Sequence, residues 1–387
     1  MATKSAKPLR LTAIHLENWR NFTLVDVDLQ QRAFIVGPNA SGKSNLLDAC
    51  RFLYDLVAVG GGFKEAVAKR GGVSKLRSLA ARRYPDIAIR VNIGSDENLA
   101  AWSYEISFAQ DNRQRAFIKR ERVLKNGVTI INRPDEKDEA DPERLTQTYL
   151  EQVNANLEFR AVNDFLKTIR YLHIVPQLIR EPDRSIGKIN DPYGGDFLEQ
   201  IARTTEKTQK ARLRRIGDAL KVAVPQLADL ALWRDEIKGT PHLRGKYEHW
   251  RPQGAWQTEE QFSDGTLRLI GLLWAILDGT GPLLLEEPEL SLHPEVVRFL
   301  PQMFARIQSR TGRQIITSTH STELLRDDGI GLDEVIWLTP STEGTVVSTA
   351  NARGETNALL DSGLSMADIV IPLTRPAHAD QLSLFGG

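Results

Sequence analysis

The stretch Gly37-Pro38-Asn39-Ala40-Ser41-Gly42-Lys43-Ser44 limits what this chain can fold into more than any other, because it is a complete G-x-x-x-x-G-K-[ST] phosphate-binding loop. Such a loop works only between a buried strand and the start of a helix. Ala33-Phe34-Ile35-Val36 before it is a short apolar run suited to that strand, and Asn45 to Leu53 after it places apolar residues at helical intervals. The backbone N–H groups of the loop, with Gly37, Asn39 and Gly42 among their carriers, and the positive end of the helix dipole then converge on phosphate. Lys43 is placed to reach the β- and γ-phosphates of a nucleoside triphosphate, and the Ser44 hydroxyl to ligate Mg²⁺.

A length of 387 residues suffices for a large core and suggests two or three subdomains. Lys plus Arg (50) balances Asp plus Glu (50), so any attraction to nucleic acid must come from a local patch. The single cysteine, Cys50, falls on the apolar side of the first helix, which excludes a disulfide and a cysteine metal site. Met1 to Arg10 holds no apolar segment, and the uncharged stretch Leu269 to Leu277 is far shorter than a membrane span. A soluble, cytoplasmic protein without a membrane partner is expected.

Taken in order, Leu11 to Leu16 and Phe22 to Leu29 alternate and predict a hairpin leading into the loop strand. Arg20, in the turn between them, either touches the nucleotide or is a solvated turn residue. Residues 64 to 83 are locally basic. Beyond them Ile87 to Ile93, Trp102 to Phe108, and Ala116 to Val123 paired with Val128 to Ile131 across Lys125-Asn126-Gly127 predict a β-rich lobe. Pro134 to Arg144 reads as a charged, solvated loop without structure, Leu145 to Ile169 as helical, and Tyr171 to Val175 as a core strand ending at Pro176-Gln177. Phe197 to Leu220 is helical and rich in basic residues, including Arg203, Lys207, Lys210 and Arg214; it is either a solvated face or a contact with DNA phosphates. Residues 51 to 260 carry no heptad repeat, so no long coiled coil is expected.

The second half of the chain adds groups that suit a nucleotide. Ser263 and Gly265 stand where an apolar helix begins and offer a hydroxyl and free N–H groups to an anion. Leu283-Leu284-Leu285 runs into Glu286-Glu287, and carboxylates at the end of a buried strand are costly unless they serve a cation or a reaction. Gln314 to Thr319 is a further apolar strand, ending in His320.

The order of phosphate loop, Ser-x-Gly helix, strand with Glu-Glu and strand with His resembles the ATP-binding-cassette ATPases. Asn18-Trp19-Arg20-Asn21-Phe22, the phosphate loop, Ser263-Asp264-Gly265-Thr266 and Glu286-Glu287-Pro288-Glu289-Leu290-Ser291-Leu292-His293-Pro294 are similar to the soluble branch with SMC, RecF and the OLD-like defence ATPases. The resemblance implies an α/β fold: a P-loop ATPase head with a mixed sheet and an inserted β-rich and helical lobe. The expected divisions are 1–60, an ATPase lobe; 61–257, the insertion with a core strand near 171–176; 258–350, the second ATPase lobe; and 351–387, a tail. It further implies that Glu287 is the base or orienter of the attacking water, Glu286 the Mg²⁺-side carboxylate, His320 the γ-phosphate sensor and Gln177 the Q-loop glutamine near the metal. Ser263 and Gly265 would contact ATP held by a second copy, in a homodimer closed around two nucleotides. Two positions depart from the family pattern: Glu286 where many relatives have Asp, and Asp264 in place of the first glycine of Leu-Ser-Gly-Gly-Gln.

The tail ends in Gln381-Leu382-Ser383-Leu384-Phe385, which resembles the pentapeptide that grips the bacterial β sliding clamp, with Gln381 in a polar pocket and Leu382, Leu384 and Phe385 in an apolar groove. Local packing is the other reading. Together these resemblances imply an ATP-driven switch on DNA in bacterial anti-phage defence or repair. Neither a Toprim pattern nor a His-Asn-His cluster follows His320, so a Toprim or HNH nuclease would be a separate chain. A RecF-like scaffold holding DNA and the clamp, without a nuclease, is the alternative. Lys43→Ala should abolish ATP binding, checked by equilibrium titration with a fluorescent ATP analogue; undiminished binding would remove the loop from its assigned role.

Overall fold

The structure, a computed structural model, describes residues 8–81, 86–181, 189–248, 255–350, 359–360 and 362–374. Strands with one alternating face and strands that are apolar throughout require different cover, and here they sort into different sheets. Six strands form an antiparallel sheet: β1 (Arg10–Glu17), β2 (Leu24–Asp28), β4 (Ile87–Ser95), β5 (Asn98–Gln110), β6 (Ala116–Lys125) and β7 (Val128–Arg133), in the order β2-β1-β4-β5-β6-β7. Six more form the second sheet: β3 (Arg32–Val36), β8 (Arg170–Leu172), β12 (Leu283–Glu286), β13 (Ile315–Ser318), β14 (Val335–Ser341) and β15 (Gly344–Thr349), in the order β15-β14-β3-β13-β12-β8. All of its pairings are parallel except that of the edge strand β15. A small antiparallel sheet holds β9 (Leu227–Arg234), β10 (Pro241–Tyr247) and β11 (Ala255–Thr258), with β10 in the middle.

The predicted hairpin of β1 and β2 forms, but it does not join the loop strand. β2 alternates buried and exposed residues, whereas all five residues of β3 are buried, so the chain crosses to the other sheet between them. β4 pairs with β1, so residues 87–133 continue the sheet begun before the phosphate loop. The parallel sheet separates two cores. Ala33, Ile35, Leu284, Ile316 and Ile336 face one, with the helix Lys43–Val57 and Cys50 on it; Phe34, Val36, Leu285, Ile315 and Trp337 face the other, with the helix Asp264–Leu277.

Three local expectations are corrected. Pro134 to Arg144 is exposed along most of its length but is not without structure: Asp135 caps a helix, Glu136–Ala140, and Asp138 within it is buried. Its charge is neutralised from outside the segment, by Arg133, which also pairs with Glu121 at 2.9 Å; all three side chains are wholly buried. Leu145 to Ile169 holds only one α-helix, Arg160–Leu166, among 3-10 turns, because buried Asn156 and Asn163 both tie their side-chain amides to the Leu150 carbonyl. The core strand near Tyr171 stops at Leu172. In the basic stretch after residue 64, Arg70 is buried against Asp48 and Asp55, whereas Lys64, Lys69, Lys75 and Arg77 are exposed; Arg82 and Arg83 lie outside the described residues.

The longest described helices have 15 residues, so no long coiled coil occurs among the described residues. No described helix is long and apolar enough to cross a membrane. A helix, Met366–Thr374, follows β15, while Gln381, Leu382, Leu384 and Phe385 lie outside the described residues.

The Arg133 cluster sets a stability test. Burial works to raise the Asp138 pKa, but the Arg133 guanidinium and the Asp135 N–H outweigh it and bring it down to about 2. Asp138 therefore contributes stability that is complete above its ordinary value of 3.8 and is lost as pH falls toward 2. Arg133→Ala strands two buried carboxylates and should cost about 3–5 kcal/mol in urea unfolding at neutral pH.

Candidate functional site

Strand register assembles the site. Glu286 of β12 stands opposite Ser318 of β13, Ser318 opposite Ile35 of β3, and Ile35 opposite Ile336 of β14. The strands run parallel, so the residues that follow this row, namely Glu287, His320 and the phosphate loop, leave the sheet along one edge. That is where the carboxyl ends of parallel strands place ligands.

The loop is held in a cradle that two glycines make possible. A side chain on Gly37 would put its Cβ 2.6 Å from Ser41 Oγ and 2.7 Å from the Leu338 carbonyl. Gly42 has φ +99°, and a Cβ there would meet Asn21 Nδ2 at 2.2 Å. Asn21 Nδ2 donates to the Ser41 carbonyl and to Thr345 Oγ1, both at 2.7 Å, and its Oδ1 accepts from Asn45 at 2.7 Å. Trp19 Nε1 donates to the Asn45 carbonyl at 2.8 Å. The turn before β2 thus grips the C-terminal end of the loop and the first turn of the helix that follows it. Lys43 folds back over it, donating to the carbonyls of Gly37 (3.1 Å) and Pro38 (3.2 Å). Burial lowers the Lys43 pKa, with Glu287, Glu286 and Glu289 opposing the shift.

The acidic residues divide by position. Ser44 Oγ donates to Glu286 Oε1, Tyr171 Oη donates to Oε2, and His173 Nδ1 lies 3.3 Å from the Glu286 carbonyl. Burial raises the Glu286 pKa, opposed by the Ser44 bond. Glu287 sits in left-handed backbone, φ +44°, and its N–H is tied to the Ser318 carbonyl at 3.1 Å. For a residue with a side chain this conformation costs of order 1–3 kcal/mol; it turns the carboxylate to within 3.6 Å of His320 Nε2. Glu289 steadies the histidine, accepting from the His320 N–H at 3.1 Å and from Thr319 Oγ1 at 2.6 Å. Burial and Lys43 lower the His320 pKa, against the pull of Glu287.

Ser263 caps the helix Asp264–Leu277 by accepting from the Thr266 N–H at 3.2 Å. Gly265 lies so close to the Ser291 carbonyl that a Cβ would approach it to 2.5 Å. Among the described residues, no hydrogen bond joins Ser263 or Gly265 to the phosphate loop of the same chain. Gln177 turns its amide toward Asp264, 3.5 Å away, rather than toward Ser44 or Glu286; Arg180 pairs with the same Asp264 at 2.6 Å. Arg20 reaches Asp48 at 3.3 Å, and both line a cleft of about 440 Å³ with Ser44, Glu286, Tyr171 and His173. Asn39 is exposed at the lip of the loop. On the distant basic helices Arg203, Lys207, Lys210 and Arg214 are all exposed; Arg203 pairs with Glu199 and Lys210 with Glu206, while Lys207 and Arg214 have no acidic partner among the described residues.

These groups fit a nucleotide with its metal. The Gly37 and Gly42 cradle admits no side chain, Ser41 Oγ is buried without a partner, and Ser44 with Glu286 supplies a hydroxyl and a carboxylate. Among the described residues no cluster of three or more His, Cys, Asp or Glu side chains could hold a metal. A Mg²⁺ at Ser44 and Glu286 would therefore complete its oxygens from phosphate and water, as Mg²⁺ commonly does. Asn21, Tyr171 and Glu289 are the site residues that motif reading missed as such. Asn21 and Glu289 do lie inside quoted motifs, whereas Tyr171 had no signal beyond its strand.

A protein-family profile described as "AAA domain, putative AbiEii toxin, Type IV TA system" matches residues 32–326. No curated protein matches the chain. Among solved structures, an SMC head bound to the C-winged helix domain of ScpA superposes with a TM-score of 0.55 at 13% identity, covering 88% of this chain and 97% of that one. A Pyrococcus furiosus Smc head with an extended coiled coil, bound to the C-terminal domain of ScpA, gives 0.51 at 13%, covering 92% and 100%. A Pyrococcus yayanosii Smc head with a coiled coil and joint gives 0.51 at 12%, with the same coverage. The shared feature is the fold of the head.

Neutral His320 is the form the site favours, so ATP hydrolysis should hold through neutral pH and fall only as pH drops below the ordinary histidine value of 6.5. Phosphate-release rates measured across pH would check this, with the acid limb absent in His320→Ala.

Proposed function

Since this chain belongs to the AAA-domain family matched over residues 32–326 and has the fold of an SMC head, we propose that it is a Mg²⁺-dependent ATPase whose two copies close around two ATP molecules. The observation that carries this reading is the gathering of Lys43, Ser44, Glu286, Glu287 and His320 on one sheet edge. Lys43 exchanges its loop carbonyls for β- and γ-phosphate oxygens. Glu287 orients the attacking water and takes its proton as the water oxygen bonds to the γ-phosphorus and the bond to the bridging β–γ oxygen breaks. His320, positioned by Glu289, donates toward the γ-phosphate and reports its loss to the strand end. Ser44 and Glu286 would hold a Mg²⁺, which would supply charge neutralisation on the phosphates. Gln177 and Arg20 reach the nucleotide only after a shift from Asp264 and Asp48.

Closure in pairs draws its support from Ser263 and Gly265, which offer a helix N-terminus that has no bond to its own loop. ATP binding would bring the pair together and hydrolysis release it. The pair acts on DNA in bacterial defence or repair, in the cytoplasm; Arg203, Lys207, Lys210 and Arg214 meet phosphates, and a separate Toprim or HNH nuclease is the effector. The Gln381–Phe385 peptide would dock on the β sliding clamp.

Glu287→Gln tests the core of this reading. It should keep ATP affinity, slow phosphate release about 10²–10⁴-fold as expected for loss of a general base, and elute with ATP and Mg²⁺ at twice the monomer mass in light-scattering chromatography. Full turnover by this variant would remove Glu287 from its role, and a monomer under those conditions would remove the pairing.

A further inference from the structure

The small sheet β11-β10-β9 covers one face and leaves the other open. Leu227, Leu230 and Leu243 point inward onto Leu213, Ile216 and Leu220 of the helix Glu206–Leu220 and its core. The register places a different set outward: Trp233 opposite His242, Ala231 opposite Arg244, and Lys246 opposite both Asp229 and Trp256. Trp256 is 45% exposed and Trp233 37%, both unusual for indoles. The Arg244 guanidinium lies over the Trp256 ring, 4.5 Å from its centroid, and its Nε has no hydrogen-bond partner. The Trp233 and His242 rings are 5.4 Å apart, and buried Glu259 holds His242 Nδ1 at 2.6 Å. Lys246 has no acidic partner among the described residues.

We infer that this outer face binds single-stranded nucleic acid, with bases stacked on Trp256 and Trp233 and phosphates met by Arg244 and Lys246. The two indoles lie at opposite strands and four residues apart along β10, about 13 Å at the usual rise, with the cations between them. That alternation of ring and positive charge is what an extended strand presents in complement: flat bases and a phosphate at each step. The centre of a protein-binding patch is depleted of lysine, whereas here Lys246 stands beside Arg244 on the middle strand and no Leu, Ile, Val or Met of β9, β10 or β11 faces outward. Duplex bases are already stacked and hide their faces from such a platform. This deepens the reading of DNA as partner, and it rests on residues other than the basic helix.

Fluorescence anisotropy of a labelled oligothymidylate, and of a duplex of the same length, with the full chain would decide the matter. Trp256→Ala should weaken oligothymidylate binding about tenfold or more, the usual loss for one stacked base, while Trp256→Phe keeps most of it and Trp256→Ala keeps the parent's thermal melting and ATP hydrolysis. Arg244→Ala with Lys246→Ala should flatten the salt dependence by about 1.4 in the log–log slope, the value for two phosphates on a single strand. Unchanged affinity in a Trp233→Ala, Trp256→Ala double variant would overturn the inference, as would a parent chain that hydrolyses ATP but prefers duplex or binds no single strand. Loss of duplex binding in Lys207→Glu with Arg214→Glu, with oligothymidylate binding intact, would separate the two surfaces. Absence of ATP hydrolysis in the parent would refute the ATPase reading and leave the result for this face standing.

Discussion

The in-register pairing of β12, β13, β3 and β14 is the constraint on which the rest depends. Alternate residues of these strands face two separate cores, so a slip of one position would exchange Phe34 for Ile35 and Leu284 for Leu285 between them. Each such exchange moves a side chain into a space shaped for another. The same slip would carry Glu286 out of reach of Ser44. Packing on both faces therefore fixes to within a residue where the acidic pair, the histidine and the phosphate loop leave the sheet, and the chemistry inherits its geometry from apolar residues that touch no ligand.

Charge in the site is organised by the same scaffold. Glu286, Glu287 and Glu289 face one lysine, and burial pushes the Lys43 and Glu286 pKa values toward neutral forms. Such a concentration of carboxylate is tolerated when a cation and phosphates complete it. The left-handed backbone at Glu287 fits that view: the residue directly before it continues the strand, and the next must turn away to face His320. Backbone strain is spent where a carboxylate has to be aimed.

How much could be read in advance follows from distance along the chain. The phosphate loop carries its strand, glycines and helix in one contiguous stretch, so its context was legible from neighbours alone. The order of Ser263, Glu286 and His320 was legible through the resemblance, because each stands at an element end with its own apolar run. Asn21 was not, since its work depends on Ser41 and Thr345, the latter 324 positions away. Tyr171 offers only a phenol on a short strand until β12 is laid beside it. Asp138 misled for the opposite reason: it looks solvated like the charged residues around it because Glu121, which shares the Arg133 cation with it, comes from a strand earlier in the chain. Composition records charge but not its partner.

The position of β3 in the centre of its sheet also bears on synthesis. The strand is complete by residue 36 and its loop by residue 44, yet the neighbours that flank the strand, β13 and β14, begin only at residues 315 and 335. At roughly 5–20 residues per second on the ribosome, about 280 residues and some 15–55 s separate the emergence of the strand from that of its first partner. Throughout that interval two unpaired apolar edges are available to anything nearby. The antiparallel sheet, whose strands all lie before residue 134, can form early and shelter part of this surface. The nucleotide pocket is therefore among the last features of the nascent chain to exist, and a truncated product ending before β13 would carry the complete sequence of the phosphate loop without the sheet that makes it a site.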